Sequence, residues 1–323
     1  IATMAIGCGG EASTESEEGG EETEGAGEDI FISIATGGTA GAYYPIGGAM
    51  ASEISNSLDN VSATAEATGA STENAGLIQD SESDLALLQN DIAYYASTAT
   101  VIDAFDSVYD NLLGLAILYP EYIQIVASAG SGIKSVADLA GKDVAVGAPG
   151  SGTEANARQI LNAYGLSFDD LGKADALSFA EASEGLQNGQ IDAAFMTAAI
   201  PNAGITEVAQ VRDVVIVPVE PDKVQSLIDE GYTFYTEQTI PAGTYKGQEE
   251  DINTTAVMAM LAVRGDLDED VVYDITKAIF EGLEKIGQSH DMAKNIKLES
   301  ALEGMPLDLH PGAKKYFDEV GVK

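Results

Sequence analysis

Short apolar runs alternate with segments of helical periodicity from Ile30 onward, and this alternation constrains the fold more than any other feature of the chain. The first part is predicted as strand, helix, strand, helix and strand over residues 30–35, 44–57, 61–68, 71–79 and 85–88. A capping box, Ser71-Thr72-Glu73-Asn74, is predicted to open the second of these helices. Such an alternation predicts a parallel sheet covered by helices on both faces.

A second series of the same kind follows. Strands are predicted at 122–127, 143–146, 192–196, 214–219 and 256–263, and helices at 135–139, 154–164, 202–210 and 268–286. The last strand and helix are too few to form a domain of their own, so we expect the chain to return to the first unit. The sequence therefore predicts an α/β clamshell of two lobes, each a sheet flanked by helices, joined by two hinge crossings. Lobe 1 is assigned to residues 30–125 plus 254–323 and lobe 2 to residues 126–253.

Two turns rich in glycine and small hydroxyl residues carry the main functional signal. Thr36-Gly37-Gly38-Thr39-Ala40-Gly41-Ala42-Tyr43 and Gly150-Ser151-Gly152-Thr153 each join a predicted strand to a predicted helix. Bare backbone N–H groups and short hydroxyls at a helix start bind anions, and two such turns suggest one anion held from two sides. No lysine follows the glycines and the spacing is not that of a dinucleotide fingerprint, so a carboxylate is favoured over a phosphate. The alternative is a structural tight turn without a ligand.

Other candidate residues are weaker. Arg158 lies about one turn into the helix after the second turn and could pair with a carboxylate, although a surface ion pair explains it equally well. Asp91 follows a predicted strand end and could contact a ligand or a metal, or cap a helix, so a metal site stays open. His290 and His310 lie far from both turns, and no nucleophile elbow or HExxH motif occurs. We expect neither catalysis nor a cofactor.

The charge balance excludes one class of partner. The chain has 15 Lys and Arg against 53 Asp and Glu, a net charge of −38, which would repel nucleic acid. Nine of the acids lie in residues 11–29, so most of the excess belongs to the remainder of the chain. Such acidity suggests a protein from a high-salt habitat, because salt screens the repulsion between surface carboxylates. Equal melting temperatures at low and high salt would reject that hypothesis, and acidity that serves solubility alone is the alternative.

The start of the chain suggests a lipoprotein. Met4-Ala5-Ile6-Gly7 before Cys8 looks like the tail of a bacterial lipoprotein signal, with Cys8 as the site of lipid attachment. The following Gly/Ser/Thr/Glu tract has no apolar periodicity, so residues 1–29 are predicted to be a signal remnant and a disordered acidic tether. We therefore expect an extracytoplasmic protein that is anchored to the outer face of a membrane or lies close to it. We also expect the protein to be a monomer. An incidental cysteine is the alternative.

Ordered motifs from Ile30 to the end resemble the TAXI family, the solute receptors of TRAP-type secondary transporters. The first of them is Thr-Gly-Gly-Thr-x-Gly-x-Tyr-Tyr-Pro at 36–45. Further motifs are Ala70-Ser71-Thr72-Glu73-Asn74, Leu88-Gln89-Asn90-Asp91, Leu118-Tyr119-Pro120-Glu121, Asp138-Leu139-Ala140-Gly141-Lys142, Gly150-Ser151-Gly152-Thr153, Ile191-Asp192-Ala193-Ala194-Phe195, Ile240-Pro241-Ala242-Gly243-Thr244-Tyr245 and His310-Pro311-Gly312-Ala313.

This resemblance implies a type II periplasmic-binding-protein fold and the delivery of a small organic anion, such as glutamate or a related dicarboxylate or 2-oxoacid, to a membrane TRAP permease. Carried over by motif, the implied ligand contacts are Thr36, Gly37, Thr39, Tyr43, Asn74, Gln89, Ser151, Gly152 and Thr153. Gly38, Asp91 and Arg158 complete the set of candidate ligand-binding residues. A binding protein for a signalling system is the main alternative, and a periplasmic enzyme is a weaker one.

Overall fold

The computed structural model describes residues 29–323. The predicted lipid-attachment residue Cys8 lies outside these residues, as does nearly all of the predicted tether. The strands are β1 (Ile30–Ala35), β2 (Val61–Glu66), β3 (Leu85–Gln89), β4 (Leu112–Ser128), β5 (Asp143–Ala145), β6 (Lys173–Asp175), β7 (Ala193–Ala198), β8 (Val214–Val217), β9 (Thr236–Ile240) and β10 (Ile252–Arg264). The helices are α1 (Tyr43–Ser57), α2 (Ser71–Gln79), α3 (Asn90–Thr98), α4 (Gly152–Ala163), α5 (Phe179–Asn188), α6 (Ala203–Val211), α7 (Pro221–Asp229), α8 (Glu269–Glu281), α9 (Leu283–Ile286) and α10 (Pro311–Val320).

The strands form one mixed sheet in the order β2-β1-β3-β10-β4-β7-β5-β6, with β8 paired to β4 and β9 to β10. At one end β1 pairs in parallel with β2 and β3, and at the other β5 pairs in parallel with β6 and β7. Between them the two long strands β4 and β10 run antiparallel to each other and to their neighbours. The predicted two-lobed α/β fold is confirmed, and the two crossings between the lobes are the long strands β4 and β10.

Each end of the sheet has its own hydrophobic core. One pair of apolar clusters packs around β1 and β3 and includes Ile46 of α1 and Phe317 of α10. The other pair packs around β5 and β7 and includes Ile160 of α4 and Ile205 of α6. The predicted lobe boundaries, at residues 125/126 and 253/254, fall inside the two long strands and stay a prediction.

The predicted capping box at Ser71 is wrong. Helix α2 begins at Ser71 itself, after Ala70 with φ 75° and ψ −146°, and has no side-chain cap. The Ser71 hydroxyl instead accepts a hydrogen bond from the Gln89 backbone N–H at 3.2 Å. Glu73 reaches back to the Gly69 N–H at 2.8 Å, one residue earlier than a capping box requires. The side chain of Ser71 thus ties α2 to β3 rather than capping its own helix.

Several other elements differ from the predictions. The predicted helix at 135–139 is a single 3-10 turn, Val136–Leu139. The predicted helix at 268–286 is broken at Gly282, where a side chain would meet the Cγ of Glu53 at 2.3 Å. Helices α3, α5, α7 and α10 were not predicted. Within residues 29–323, no helix has the length and apolar character needed to cross a bilayer.

Candidate functional site

A cavity of about 210 Å³ lies between the two lobes. This volume suits a small molecule rather than a polymer. The lining residues come from the turns and helix starts of both lobes and from β3, β4 and β7: Gly37, Gly38, Thr39, Ala40, Gly41, Ala42, Tyr43, Thr68, Gly69, Ala70, Ser71, Gln89, Glu121, Ala148, Ser151, Gly152, Thr153, Ser178, Phe179, Ala180, Thr197 and Ala198.

Four helices begin at the wall of this cavity. Tyr43, Ser71, Gly152 and Phe179 are the first residues of α1, α2, α4 and α5, and all four line it. The N–H groups of a first helical turn have no partner within the helix and carry the positive end of its dipole. The positive ends of these helix dipoles favour a negatively charged group in the cavity. At the start of α2 the N–H groups of Thr72 and Glu73 already have a partner, the Gly150 carbonyl.

The lobes touch each other directly beside the cavity. The Gly150 carbonyl, in the turn before α4, accepts hydrogen bonds from the backbone N–H groups of Thr72 and Glu73 at 3.1 and 3.2 Å. Gly152 packs so closely against Gln89 that a Cβ there would lie 2.0 Å from the Gln89 Oε1. Glycine at 152 thus lets the Gln89 amide pack directly against the start of α4.

Eight of the twelve predicted ligand contacts line the cavity. They are Gly37, Gly38, Thr39, Tyr43, Gln89, Ser151, Gly152 and Thr153. Both Gly/Thr turns therefore meet at one site, as the sequence predicted. Whether these residues touch a ligand stays a prediction.

Thr36 and Asn74 lie behind the first turn instead of lining the cavity. The Thr36 hydroxyl donates to the Glu66 carbonyl at 2.6 Å. The Asn74 amide donates to the carbonyls of Thr36 and Leu87, both at 2.7 Å, and its oxygen accepts from Thr68. With their polar atoms engaged in this way, the two side chains fix the position of the turn and leave ligand contact to its glycines.

Arg158 points away from the cavity. It is exposed, with its guanidinium 4.2 Å from the centre of the Phe168 ring and 3.5 Å from the Glu154 carboxylate. Five residues along a helix rotate a side chain by about 140°, so Arg158 cannot share the inward face that begins at Thr153. Arg158, which was predicted as a possible partner of a ligand carboxylate, is therefore a surface residue with a surface ion pair, as the alternative interpretation held.

Asp91 is buried outside the cavity, in the first turn of α3. Its carboxyl accepts a hydrogen bond at 3.0 Å from Asn156 of α4, and Asn156 also donates to the Tyr235 hydroxyl at 3.0 Å. Burial raises the pKa of Asp91 to about 7, against the lowering effect of hydrogen bonds from Ile92 and Asn156. Asp91 therefore joins the lobes, and it caps no helix; a ligand contact of Asp91 stays a prediction. No cluster of metal-ligating residues occurs in the described part of the chain.

Glu121 of β4 is the important residue that sequence reasoning missed as a candidate site residue. It is 4 % exposed, lines the cavity and accepts a hydrogen bond from the Tyr43 hydroxyl at 2.7 Å. Burial raises its pKa to about 8, opposed by the Tyr43 hydrogen bond. Burial, and then the neighbouring Glu121 carboxyl, raises the pKa of Tyr43 well above its usual range, so the phenol keeps its proton and donates. The available signal was that Glu121 is the only charged residue in the 17-residue strand β4.

Other lining residues were also missed. Ser178, Phe179 and Ala180 open α5, which was not predicted at all, and Thr197 and Ala198 end β7. The sequence Ser178-Phe179-Ala180-Glu181 forms a capping box in the structure and could have revealed the α5 start. Thr197 has no comparable sequence signal.

Three solved structures with the same fold hold a bound small molecule. PhnD1 from Prochlorococcus marinus in complex with methylphosphonate is 12% identical, with a TM-score of 0.56 over 91% of this chain and 98% of that one. MatC from Rhodopseudomonas palustris with bound malate is 14% identical, with a TM-score of 0.56 over 90% and 97%. The alkanesulfonate-binding protein SsuA from Xanthomonas axonopodis pv. citri bound to MOPS is 15% identical, with a TM-score of 0.50 over 91% and 85%. At these identities the likeness establishes the fold.

Sequence comparison establishes the family. The model of the NMT1-like family matches residues 34–321, which include both Gly/Thr turns, both crossing strands and every residue that lines the cavity. This chain therefore belongs to the NMT1-like family.

Proposed function

We propose that this protein is an extracytoplasmic solute receptor that binds a small molecule with a carboxylate in the cavity between its lobes and delivers it to a membrane permease. The observation that carries the proposal is the convergence of four helix N-termini, those of α1, α2, α4 and α5, on one cavity. Among the lining residues there is no Lys, Arg or His, so the donors to the anion are backbone N–H groups and neutral side chains.

Two further observations support a receptor rather than an enzyme. The structural neighbours are named as binding proteins or carry bound small molecules, which are methylphosphonate, malate and MOPS. Thr39, Ser151 and Thr153 are the serine and threonine residues of the two turns that line the cavity, and no histidine lines it to act as a base for them.

The motifs that resemble the TAXI receptors support a TRAP-type permease as the partner, with glutamate, a dicarboxylate or a 2-oxoacid as the ligand. In this proposal residues 30–125 plus 254–323 and residues 126–253 close on the ligand as two lobes. The closed state gains contacts such as Gly150 with Thr72 that an open state lacks, which gives a permease a ligand-dependent surface to recognise.

A thermal-shift screen with small organic acids, amino acids, sugars and polyamines tests the proposal. A ligand at 100 times its dissociation constant stabilises the protein by about 2.7 kcal/mol. We expect acids to raise the melting temperature and sugars and polyamines to leave it unchanged. A shift with sugars or polyamines and none with any carboxylate would overturn the proposal.

Substitution of Thr153 tests the anion end of the cavity. Thr153 is 4 % exposed, lies in the first turn of α4 and lines the cavity. Thr153→Val keeps the shape and removes the hydroxyl, so we expect affinity for the ligand found in the screen to fall about tenfold. Thr276→Val is the matched control, because Thr276 is equally buried in α8 but bonds only to its own helix. Calorimetric titration measures both; equal affinity in Thr153→Val and wild type would remove Thr153 from the site.

A further inference from the structure

We infer that Glu121 binds a positively charged group of the ligand, so that the ligand is a small zwitterion carrying both a carboxylate and an ammonium, as an amino acid does. The inference rests on the proposed function, because it assigns the second pole of the same cavity.

The charges around the cavity are one-sided. Glu121 and Tyr43 are the only ionisable side chains among the lining residues, and neither is a cation. The groups that face Glu121 from other elements are Tyr43 of α1, Asp91 of α3 and the Gln89 amide of β3, with Tyr119 on its own strand. All are neutral or acidic. The residue of β10 that pairs with Glu121 in the sheet is the apolar Val257.

A buried carboxylate without a cation is costly, and a ligand carboxylate in the same cavity would add like-charge repulsion. A purely anionic ligand therefore fits this cavity poorly while Glu121 is ionised. A ligand that brings its own ammonium supplies the counter-charge that the protein lacks.

An unpartnered acceptor lies on the same face of the sheet as Glu121. The Thr197 hydroxyl oxygen is buried, lines the cavity and has no hydrogen-bond partner in the described part of the chain. Thr197 of β7 pairs directly with Ile123 of β4, so it projects from the same face of the sheet as Glu121, two residues further along. A carboxylate and a hydroxyl are acceptors suited to the N–H bonds of a primary ammonium.

The donors and acceptors thus form two poles. The helix N-termini of α1, α4 and α5 provide donors, and Glu121 with Thr197 provides acceptors. The Tyr43 hydroxyl occupies one oxygen of Glu121 and holds the carboxylate in place for the ammonium. A dipolar ligand satisfies both poles at once, which an acid without an amine cannot do.

Matched ligand pairs test the inference on the wild-type protein. Calorimetric titration would compare L-glutamate with glutarate, L-aspartate with succinate, L-alanine with propanoate and L-leucine with 4-methylpentanoate. We expect at least one amino acid to bind, and its partner without the amine to bind at least 100-fold more weakly. Equal or tighter binding of the acid without the amine would overturn the inference and leave the proposed function standing. Binding of neither class would overturn both.

Glu121→Gln provides a second test, with Glu53→Gln as the matched control. Glu53 is similarly buried, but it pairs with Lys285 at 2.8 Å, and it lies outside the cavity. We expect Glu121→Gln to weaken amino-acid binding at least 30-fold and to abolish the preference for the amine, and Glu53→Gln to change neither. Unchanged preference in Glu121→Gln would overturn the inference.

The pH dependence of wild-type binding separates this role from its main alternative, in which a protonated Glu121 donates to an anion. Ammonium binding requires the ionised form of Glu121, and burial in this structure raises the pKa of its carboxyl to about 8. We expect affinity to rise up to tenfold per pH unit between pH 6 and 7 and to level off above pH 8, with up to one proton released per ligand at pH 6.5. Affinity that falls as the pH rises over this range would support the alternative and overturn the inference.

Discussion

A carboxyl group is buried on each of the two sides of the contact between the lobes, and the surroundings of the two groups differ. On the cavity side, Glu121 faces open space, with Tyr43 bonded to one oxygen. On the enclosed side, Asp91 meets Asn156, and the two oxygens without partners, Asp91 Oδ1 and Asn156 Oδ1, are both acceptors. A proton on Asp91 supplies the donor that this pair lacks. The comparison shows one carboxyl that lines the cavity and one that is enclosed between the lobes, where burial favours its neutral form.

The largest expected effect comes from a change that disturbs both sides. Gly152→Ala places a Cβ 2.0 Å from the Gln89 Oε1, across the contact between the lobes. Because the atoms in the way are the terminal amide of Gln89, which is buried and lines the cavity, we expect each lobe to stay folded. Displacement of that amide into the cavity and a looser contact between the lobes should lower ligand affinity at least 30-fold. Calorimetric titration measures the affinity, and small-angle scattering measures the opening of the lobes.

Gly48→Ala is the control for that substitution. Gly48 lies within α1 with open space at its Cβ position, so alanine should leave binding unchanged and stabilise the helix by about 0.5–1 kcal/mol. Wild-type affinity in Gly152→Ala would show that the close approach of Gln89 and Gly152 is not needed for binding.

A smaller effect is expected from Asp91→Asn, which acts on the enclosed side alone. The folded-state pKa of Asp91, about 7, is above its unfolded value near 4, so its contribution is fully present at low pH and is lost as pH rises from about 4 to 7. Asparagine mimics the neutral form. We expect Asp91→Asn to match wild type at pH 4 and to exceed it at pH 8 by on the order of a few kcal/mol in unfolding free energy.

Denaturant unfolding at a series of pH values measures this difference. Asp170→Asn serves as a control, because Asp170 is exposed and its pKa is lowered by hydrogen bonds from Ser167. Asp91→Asn should still lose stability towards pH 8 through Glu121, whose folded-state pKa is higher. An equal loss of stability in Asp91→Asn at every pH would contradict the role of a neutral Asp91.

The smallest effect is expected from Arg158→Ala, outside both sides of the contact. The Arg158 side chain is 56% exposed and its ion pair with Glu154 is a surface pair, which contributes about 0–1 kcal/mol. We expect ligand affinity to be unchanged in a calorimetric titration. A loss of threefold or more would restore Arg158 to the site and show that the cavity extends beyond its present lining.

Local sequence patterns predicted the parts of the site that depend on the backbone. The turns at Gly37 and Gly152 were found because a strand, a glycine and a helix start follow one another along the chain. Local patterns did not show the position of side chains that is set by tertiary packing. Some residues were assigned to the site that lie outside it, and one that lines it was not assigned. Asn74 and Arg158 were assigned to the ligand, whereas packing directs the first to neighbouring carbonyls and the second to solvent. Glu121 was missed because a charged residue in an apolar strand has no local pattern that shows what it faces.

The sequence by itself determined the α/β class, the two crossings and the two anion-favouring turns, because periodicity and turn chemistry are encoded by neighbouring residues. Only the tertiary structure decided that four helix starts meet at one cavity and that Glu121 faces it while Asp91 is enclosed. The physical reason is that the surroundings of a side chain, and hence its protonation, are set by segments far apart in the chain: Tyr43 lies 78 residues from Glu121, and Asn156 lies 65 residues from Asp91.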